Sequence, residues 1–518
     1  MTAAPRLMDG LASKQRWRGY PLALFALVAL AFIVRFHGIA IPVIWFDESF
    51  SLLLAERSPG QIWNITAGDV HPPLYYVMLH YWMCLSGSGA ASVRMLSVVL
   101  DIGTLLLCMQ LMSLVASRRA ACIAGLLFAL LPISIRYSQE ARMYTLIGFW
   151  LMAATVVLVC WGRQPHLKRY PVMYVLLMTA AFYTHYFAAL CVLVHWLYWS
   201  GLGSGASVLL PVRQWLTANV AIVALYLPWL PNFFRQVSHS QGIEWIAPST
   251  WQLLPEFFAR SAVMISVANH GMGWALGVSA LILACAWVAL RDRRRERRAM
   301  WLLIHYGFLP VIVLFALSWV VPIFVSRYLL FCVVGLPMVV AIALDKLAEH
   351  RPLCAFLCLC LAVAGETFGL QRVYAQQDSL EGTFVRHVGR VDIVVEALKR
   401  QADRSDEVVV DGFFWYLPFS YYNDTGIQPR LYTTDPPIKG QGPWLFIPQE
   451  RILSSDLSSV TFHSDRVWWV NNRLDLQSVP PFPEGWKWMR TLRAGRIGVH
   501  LFVREHRAES PQASSAVR

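Results

Sequence analysis

Long apolar runs separated by short polar or basic segments dominate residues 20–370 of this chain. A membrane-spanning helix needs about 20 mostly apolar residues, and many of these runs approach that length. The pattern therefore predicts a polytopic α-helical membrane protein with about eleven spans. They cover residues 20–40, 94–115, 120–135, 144–161, 171–184, 186–200, 216–232, a run that ends at Arg291, 299–320, 328–345 and 353–370.

The stretch 41–93 has a mixed character and interrupts the series of spans. A Pro-Pro pair at 72–73 and a Gly/Ser cluster at 86–89 flank a short apolar piece at 74–85. This piece is too short to cross a bilayer, so it predicts a helix that lies on the membrane surface. We interpret the whole stretch as the first extracytoplasmic loop.

The positions of Lys and Arg predict the orientation of the spans. Basic loops at 118–119, 163–169 and 291–298 alternate with loops that are less basic, which is the positive-inside pattern. Residues 1–19 are then cytoplasmic, and the first span is interpreted as uncleaved because no A-x-A-like site follows it. Residues 20–370 form the predicted membrane module, and an odd number of spans places the rest of the chain outside.

The region after residue 370 alternates between helical and strand patterns. Residues 390–402 predict a helix, 408–410, 444–447 and 467–470 predict strands, and 487–494 with 497–504 predict a hairpin. These elements predict a small extracytoplasmic α/β domain over residues 371–505. The polar segment 506–518 is predicted to be a disordered tail.

Composition supports the membrane interpretation and narrows the list of partners. Hydrophobic residues make up 57% and charged residues 14% of the chain, whereas soluble domains carry about 25% charged residues. The net charge of +13 does not favour a nucleic-acid partner, because the basic residues lie in loops between spans. The cysteines lie between Cys84 and Cys360, almost all in apolar runs, so neither disulfides nor a cysteine metal site is predicted.

Two acidic residues follow the first predicted span directly. Asp47 and Glu48 come after the aromatic pair Trp45-Phe46, which is typical of a membrane interface. Carboxylates held there can serve as a general base or bind a cation. The alternative is a solvated turn beside the membrane, and the acidic pair alone does not decide between them.

A second polar group lies at residues 69–76, which read Asp-Val-His-Pro-Pro-Leu-Tyr-Tyr. The two prolines restrict the backbone directly after His71, so its imidazole is predicted to be held at the start of a helix. The alternative is an ordinary helix N-terminus at which Asp69 acts only as a cap.

Arginines at the outer ends of several spans form a third group. Arg94 precedes one span, Arg136 and Arg142 flank Glu140 in an outer turn, and Arg327 precedes another span. A single arginine in such a place more commonly reaches lipid headgroups. Several of them near an acidic pair favour a phosphate-binding site, because a guanidinium binds phosphate with two parallel hydrogen bonds.

Five short motifs occur in an order that is typical of one family. They are Trp45-Phe46-Asp47-Glu48-Ser49, residues 69–76, Val93-Arg94-Met95-Leu96-Ser97, residues 137–144 and Ser326-Arg327-Tyr328-Leu329. With them the chain resembles the bacterial GT-C membrane glycosyltransferases of family 39, similar to protein O-mannosyltransferases and the lipid A aminoarabinose transferase. The resemblance covers most of residues 20–345. One departure is Glu140, where some relatives carry an aspartate a little further on.

The resemblance implies a sugar donor carried on a polyprenyl phosphate at the outer face of a bacterial inner membrane. The acceptor would be a hydroxyl of a cell-envelope glycan, lipid or protein. Asp47 would act as the catalytic base for an inverting attack, with Glu48 as a second catalytic residue. The leaving phosphate needs positive charge more than a proton, and the implied donors of that charge are Arg94, Arg142 and Arg327.

The resemblance implies that the remaining polar residues of the motifs bind the donor sugar or the acceptor. These candidates are Asp69, His71, Tyr75 and Glu140. The sequence names no certain cofactor. A divalent metal stays open as an alternative, with Glu48 and His71 as candidate ligands, because no ligand spacing decides the point.

Two other classes of protein share some of these features. A transporter or lipid flippase would have similar spans, but transporters tend to place charges in the middle of the membrane and to contain internal repeats. Here the charges collect at one face, and no repeat is evident. An assembly or sensor protein would use the outer domain as its working part.

Overall fold

The computed structural model describes residues 19–238, 245–292, 294–434, 444, 447–453, 457, 460–472 and 479–505. The predictions for residues 1–18 and for the tail 506–518 lie outside these ranges. The described residues form a bundle of helices followed by a C-terminal region that contains one mixed sheet. The predicted fold class, a polytopic helical protein with a small α/β domain, is therefore confirmed.

Each of the predicted spans has a helical counterpart in the bundle. Among the described residues, six helices are long and apolar enough to cross a membrane, and eight if each of two bent pairs counts as one span. Three shorter apolar helices bring the number of span candidates to the predicted eleven. All the helices of the bundle, including the short ones between the spans, are α1 (Tyr20–Phe36), α2 (Phe46–Ala55), α3 (Pro59–Thr66), α4 (Leu74–Ser86), α5 (Ala90–Val115), α6 (Arg118–Leu130), α7 (Pro132–Ser138), α8 (Tyr144–Arg163), α9 (Arg169–Phe182), α10 (Ala188–Ser200), α11 (Val212–Tyr226), α12 (Leu230–Ser238), α13 (Leu253–Val263), α14 (Val267–His270), α15 (Met272–Leu290), α16 (Arg297–Leu317), α17 (Leu330–Val333), α18 (Gly335–His350) and α19 (Pro352–Tyr374).

Pro132 explains why the third predicted span is bent instead of straight. The helices α6 and α7 meet there at 57°, because proline has no N–H to donate to the carbonyl of Phe128. Arg35 of α1 replaces the lost bond, donating to the carbonyl of Phe128 at 3.1 Å and to that of Ala129 at 2.8 Å. Its Nε also donates to the buried carboxylate of Asp101 at 2.6 Å, which neutralises the guanidinium inside the bundle.

Two predicted loops contain more helix than the sequence pattern indicates. The stretch 41–93 was expected to hold one surface helix, but it holds α2, α3 and α4, and α4 packs against both α2 and α5. The stretch between the predicted span 216–232 and the run that ends at Arg291 contains α13 and α14, and α13 packs against α15 and α19. Both regions mix polar and apolar residues over short distances, so their periodicity is weak.

The C-terminal region is built around one sheet with the strand order β3-β2-β1-β4-β6-β5. The first four of these strands are parallel, whereas β6 runs antiparallel to β4 and β5. The elements are α20 (Thr383–Val388), α21 (Val391–Gln401), β1 (Glu407–Asp411), α22 (Phe413–Tyr422), β2 (Arg430–Tyr432), β3 (Ile452–Leu453), β4 (Arg466–Asn471), β5 (Trp486–Ala494) and β6 (Ile497–Arg504).

Most of the predicted elements of this region are present. The predicted helix corresponds to α21, two of the three predicted strands correspond to β1 and β4, and the predicted hairpin corresponds to β5 and β6. The sequence pattern did not predict β2 and β3, because each is too short to show an alternation. The predicted strand at 444–447 falls largely outside the described residues, since 445 and 446 are not among them.

Asp345 of α18 joins several elements near the N-terminal end of α6. Its carboxylate accepts hydrogen bonds from Ser117 at 2.8 Å and from Arg119 and Arg295. These residues come from the starts of α6 and α16 and from the turns before them, so one buried carboxylate holds three helix ends together. A buried carboxylate is stable only when it is paired in this way.

Gly335 gives a test of how closely α16 and α18 approach each other. A Cβ atom on Gly335 would lie 2.5 Å from the Cα of Gly307, so Gly335→Ala forces the helices apart. We expect the free energy of unfolding to fall by about 1–3 kcal/mol, which would be visible as a lower melting temperature in detergent. Gly273→Ala is the matched control, because a Cβ there meets no atom within 4 Å. Equal melting temperatures for both variants would contradict the close approach.

Candidate active site

The Trp45-Phe46-Asp47-Glu48 segment forms the start of α2. Trp45 is the extended residue before the helix, and Asp47 and Glu48 lie in its first turn, where the helix dipole favours carboxylates. Adjacent residues of a helix point in directions about 100° apart. As a result Asp47 lines a cavity, whereas Glu48 is fully buried in the protein.

Glu48 forms a buried ion pair with Arg94 of α5. Both nitrogens Nε and Nη2 of Arg94 donate to the carboxylate at 2.7 Å, and the N–H of Ala141 adds a bond at 3.0 Å. The other N–H groups of Arg94 donate to three backbone carbonyls of the segment before α2. The guanidinium is therefore saturated. We revise the sequence-based roles of both residues: the pair fixes the start of α2 against α5, and neither side chain lines the cavity.

Several separate parts of the chain meet around a cavity of about 120 Å³. They include the start of α2, the loop between α3 and α4, the turn before α8, and the short 3-10 helix Ser326–Leu329 that precedes α17. The lining residues are Phe46, Asp47, Phe50, Asp69, Val70, His71, Arg142, Tyr144, Trp245, Arg327 and Tyr328. The structure thus brings together five of the residues that the sequence analysis named: Asp47, Asp69, His71, Arg142 and Arg327.

Two arginines lie on either side of Asp47. The Nη2 of Arg327 is 3.5 Å from the Oδ2 of Asp47. On the other side, Nη1 of Arg142 donates to the backbone carbonyl of Asp47 at 3.2 Å and to the hydroxyl of Ser51 at 3.1 Å. The carboxylate of Asp47 thus lies next to positive charge while remaining partly exposed to the cavity.

The two arginines still have N–H groups without a protein partner. Within the described part of the chain, Nε of Arg142 and both Nε and Nη1 of Arg327 are buried and lack a hydrogen-bond acceptor. An unsatisfied buried donor costs about 1–3 kcal/mol, more when it is charged, so such groups usually have a partner. A ligand with several oxygen acceptors and a negative charge would satisfy them, and a phosphate has both.

His71 lines the same cavity and lies beside Asp69. Its Nδ1 is 3.7 Å from the Oδ2 of Asp69. Burial lowers the pKa of His71, and the nearby Arg142 lowers it further, although Asp69 acts in the opposite direction. The ring of His185 lies behind it at 5.6 Å. His71 therefore offers the cavity a neutral imidazole at neutral pH, able to hydrogen-bond a hydroxyl.

Two of the predicted sugar-binding residues do not line the cavity. Glu140 is fully buried and accepts hydrogen bonds from Arg136 at 2.7 Å and from the indole of Trp45 at 3.2 Å. Tyr75 is also fully buried, with its ring packed against that of Tyr76 at 5.6 Å. Glu140 thus fixes the segment that carries Asp47 through its bond to Trp45. Tyr75 is a buried residue of α4 that packs into the protein core.

Sequence reasoning missed two aromatic residues that line the cavity. Phe50 lies one helical turn after Phe46, so the spacing was available as a signal. Trp245 lies between two predicted spans, in a segment that belongs to none of the motifs. Its ring lies 5.0 Å from the guanidinium carbon of Arg327, a distance at which a cation and an aromatic ring attract.

The C-terminal region contacts the Asp47 segment directly. The ring of Phe46 stacks on Phe414 at 5.1 Å, and the hydroxyl of Tyr422 accepts a hydrogen bond from the N–H of Ile44 at 2.8 Å. At Gly382 a Cβ atom would lie 2.7 Å from the ring of Trp45, so only glycine allows this approach. Its φ of +83° also favours glycine.

A buried polar network continues this contact into the bundle. The Nε of Arg136 donates to Thr383 at 3.3 Å and lies 3.6 Å from Asp378, while Arg386 donates to the carbonyl of Gln139 at 2.9 Å. Burial and neighbouring guanidiniums lower the pKa of Arg386 to about 9. Residues of the C-terminal region thus stabilise the turn that carries Arg142.

The residues proposed as metal ligands do not form a cation site. Glu48 is bound by Arg94 on both oxygens, and His71 shares its cavity with the guanidiniums of Arg142 and Arg327. Among the described residues no group of three or more His, Cys, Asp and Glu side chains is arranged to hold a metal. We therefore derive no step of the chemistry from a metal.

The whole fold has counterparts among solved structures. Apo ArnT from Cupriavidus metallidurans matches with a TM-score of 0.64 at 14% identity, over 92% of this chain and 97% of that chain. The same protein bound to undecaprenyl phosphate matches with a TM-score of 0.62 at 13% identity. The apo oligosaccharyltransferase of Archaeoglobus fulgidus matches with a TM-score of 0.55 at 12% identity, over 80% of this chain and 64% of that chain. No family model and no curated protein matches the sequence.

ArnT matches this chain over nearly the whole length of both proteins, and the archaeal oligosaccharyltransferase matches it over about two thirds of its own length. The chain therefore has the fold of these solved structures.

Proposed function

We propose that this protein is a membrane glycosyltransferase that moves a sugar from a polyprenyl phosphate to a hydroxyl of a cell-envelope glycan, lipid or protein. The observation that carries the proposal is one cavity that joins a carboxylate to two guanidiniums with unused N–H groups. Asp47 provides the carboxylate, and Arg142 and Arg327 provide the guanidiniums.

The reaction is a single displacement at the anomeric carbon. The acceptor hydroxyl gives its proton to the carboxylate of Asp47 while its oxygen forms a bond to the anomeric carbon. The bond from that carbon to the phosphate oxygen breaks, and its electron pair stays on the departing polyprenyl phosphate. Attack opposite the leaving group inverts the anomeric configuration.

The departing phosphate gains negative charge as this bond breaks. Fixed positive groups that face the developing charge lower the barrier because they need no reorganisation. Arg142 and Arg327 take this role through their unused N–H groups, and Arg327 also lies beside Asp47. Asp69 and His71 line the same cavity, and we assign them to the binding of sugar hydroxyls.

The relatives support the choice of donor. ArnT was solved with undecaprenyl phosphate, and the archaeal oligosaccharyltransferase AglB with dolichol phosphate and an inhibitory peptide. By analogy we place this chain in a bacterial inner membrane, with its N-terminus in the cytoplasm and the cavity and C-terminal region outside. This orientation lets the lipid tail of the donor stay in the outer leaflet while its phosphate reaches the arginines.

The proposal can be tested in liposomes that contain the purified protein. A panel of labelled undecaprenyl-phosphate sugars is supplied with envelope extracts from a strain that lacks the gene, and the products are analysed by mass spectrometry. We expect the label to appear on one acceptor, with release of undecaprenyl phosphate. Movement of an unaltered lipid or solute across the liposome membrane would instead identify a flippase or transporter.

A further inference from the structure

Tyr144 lines the cavity close to both arginines. It is the first residue of α8 and lines the cavity with a side chain that is 1% exposed. The guanidinium carbon of Arg142 is 5.9 Å from its ring, and the ring of Tyr328 is 6.3 Å away. Arg327, Arg142 and Asp47 all lie within electrostatic range of its hydroxyl.

The hydroxyl of Tyr144 has no hydrogen-bond partner within the described part of the chain. Other buried tyrosine hydroxyls in these ranges lack partners too, but among them Tyr144 is the one that lines the cavity. The neighbouring Tyr137 differs, because its hydroxyl lies 3.3 Å from the carboxylate of Glu381. A buried phenol without a hydrogen-bond partner is costly. An acceptor group that enters the cavity would accept the hydrogen bond of this hydroxyl and remove that cost.

We propose that the hydroxyl of Tyr144 donates a hydrogen bond to a non-bridging oxygen of the lipid phosphate, as a third donor beside Arg142 and Arg327. This inference rests on the proposed function and adds a phosphate-binding residue to it. Phenols are protonated at neutral pH and can donate one hydrogen bond. Bonds of a neutral donor to a charged oxygen are stronger than those between neutral groups.

The chemistry favours a neutral donor at this position. A third cation so close to Asp47 would stabilise its carboxylate and make it a weaker base. A phenol contributes to holding the phosphate without adding charge. Its hydrogen bond also strengthens as the phosphate gains charge, so it favours the transition state over the bound donor.

Binding of undecaprenyl phosphate to the protein in nanodiscs tests this inference without any knowledge of the sugar or acceptor. Tyr144→Phe keeps the ring and removes the hydroxyl, and we expect the affinity to fall about ten- to a hundredfold. Binding of undecaprenol, which has no phosphate, should be the same for both proteins. Tyr137→Phe is the matched control, and it should bind undecaprenyl phosphate as the wild type does.

The outcomes separate the two proposals. If wild-type protein does not bind undecaprenyl phosphate, the proposed function fails. If it binds and Tyr144→Phe binds equally well, only the role of Tyr144 is wrong, and an unchanged affinity with impaired transfer would place the hydroxyl on the sugar or the acceptor. Should Tyr144→Phe fail to fold, Tyr144→3-fluorotyrosine provides a second test, because its more acidic hydroxyl should raise the affinity, and an unchanged affinity would overturn the inference.

Discussion

Replacement of Asp47 by asparagine should lower the rate of sugar transfer by about a hundred- to ten-thousandfold, the range that general-base catalysis contributes. The amide has nearly the same shape as the carboxylate but cannot accept the proton of the acceptor hydroxyl. Among the described residues the ion pair of Asp47 is a 3.5 Å contact with Arg327, and its side chain is partly exposed to the cavity. Its neutralisation should therefore leave the protein folded.

The measurement is the initial rate with labelled donor, together with the melting temperature and the affinity for undecaprenyl phosphate. Asp424→Asn is the control, because Asp424 is an exposed carboxylate paired with Lys399 in the C-terminal region. Undiminished transfer by Asp47→Asn would remove Asp47 from the mechanism. Loss of transfer with an unchanged affinity for the lipid phosphate would place the defect in the chemical step.

Replacement of Glu48 by glutamine should destabilise the protein instead of slowing one step. Arg94 would keep its charge in a fully buried site without a counterion, and removing one partner of a buried pair typically costs about 3–5 kcal/mol. We expect less folded protein after detergent extraction and a markedly lower melting temperature. The double variant Glu48→Leu with Arg94→Met should recover part of the loss, because no unpaired charge remains.

The exposed pair Arg400 and Glu396 on α21 is the control for this experiment. Both side chains are more than half exposed, and the loss of such a pair changes stability by less than about 1 kcal/mol. A Glu48→Gln variant with normal stability and no transfer activity would restore the catalytic role that the sequence motif implied for Glu48.

Sequence reasoning succeeded where the signal was local. Apolar runs predicted α8 and α15, and short strand-like segments predicted β4 and the β5–β6 hairpin. The orientation of the predicted spans put Asp47, His71 and Arg142 on one face, and all three line one cavity in the structure. The bend at Pro132 was not predicted, although proline removes a helical hydrogen bond and so carried the signal.

The pairing of buried charges could not be predicted in this way. Arg94 and Glu48 are separated by 46 positions, and no pattern in either segment says that they meet. An arginine that binds phosphate and one that binds a carboxylate look alike in sequence, because both need the same guanidinium geometry. Only the packing of α2 against the bundle distinguishes Arg94, which is saturated, from Arg142 and Arg327, which are not.

The contact between Ile44 and Tyr422 has a consequence for how the protein matures. The two residues are 378 positions apart, so at roughly 5–20 residues per second the ribosome needs about 20–75 s to make the second after the first. Arg327 precedes Tyr422 by 95 positions, so for the last roughly 5–19 s of that interval the growing chain carries Asp47 and both arginines while Gly382, Arg386 and α22 are still being made. A nascent or prematurely terminated chain therefore lacks the C-terminal contacts that hold the Asp47 segment and the turn before α8 in place.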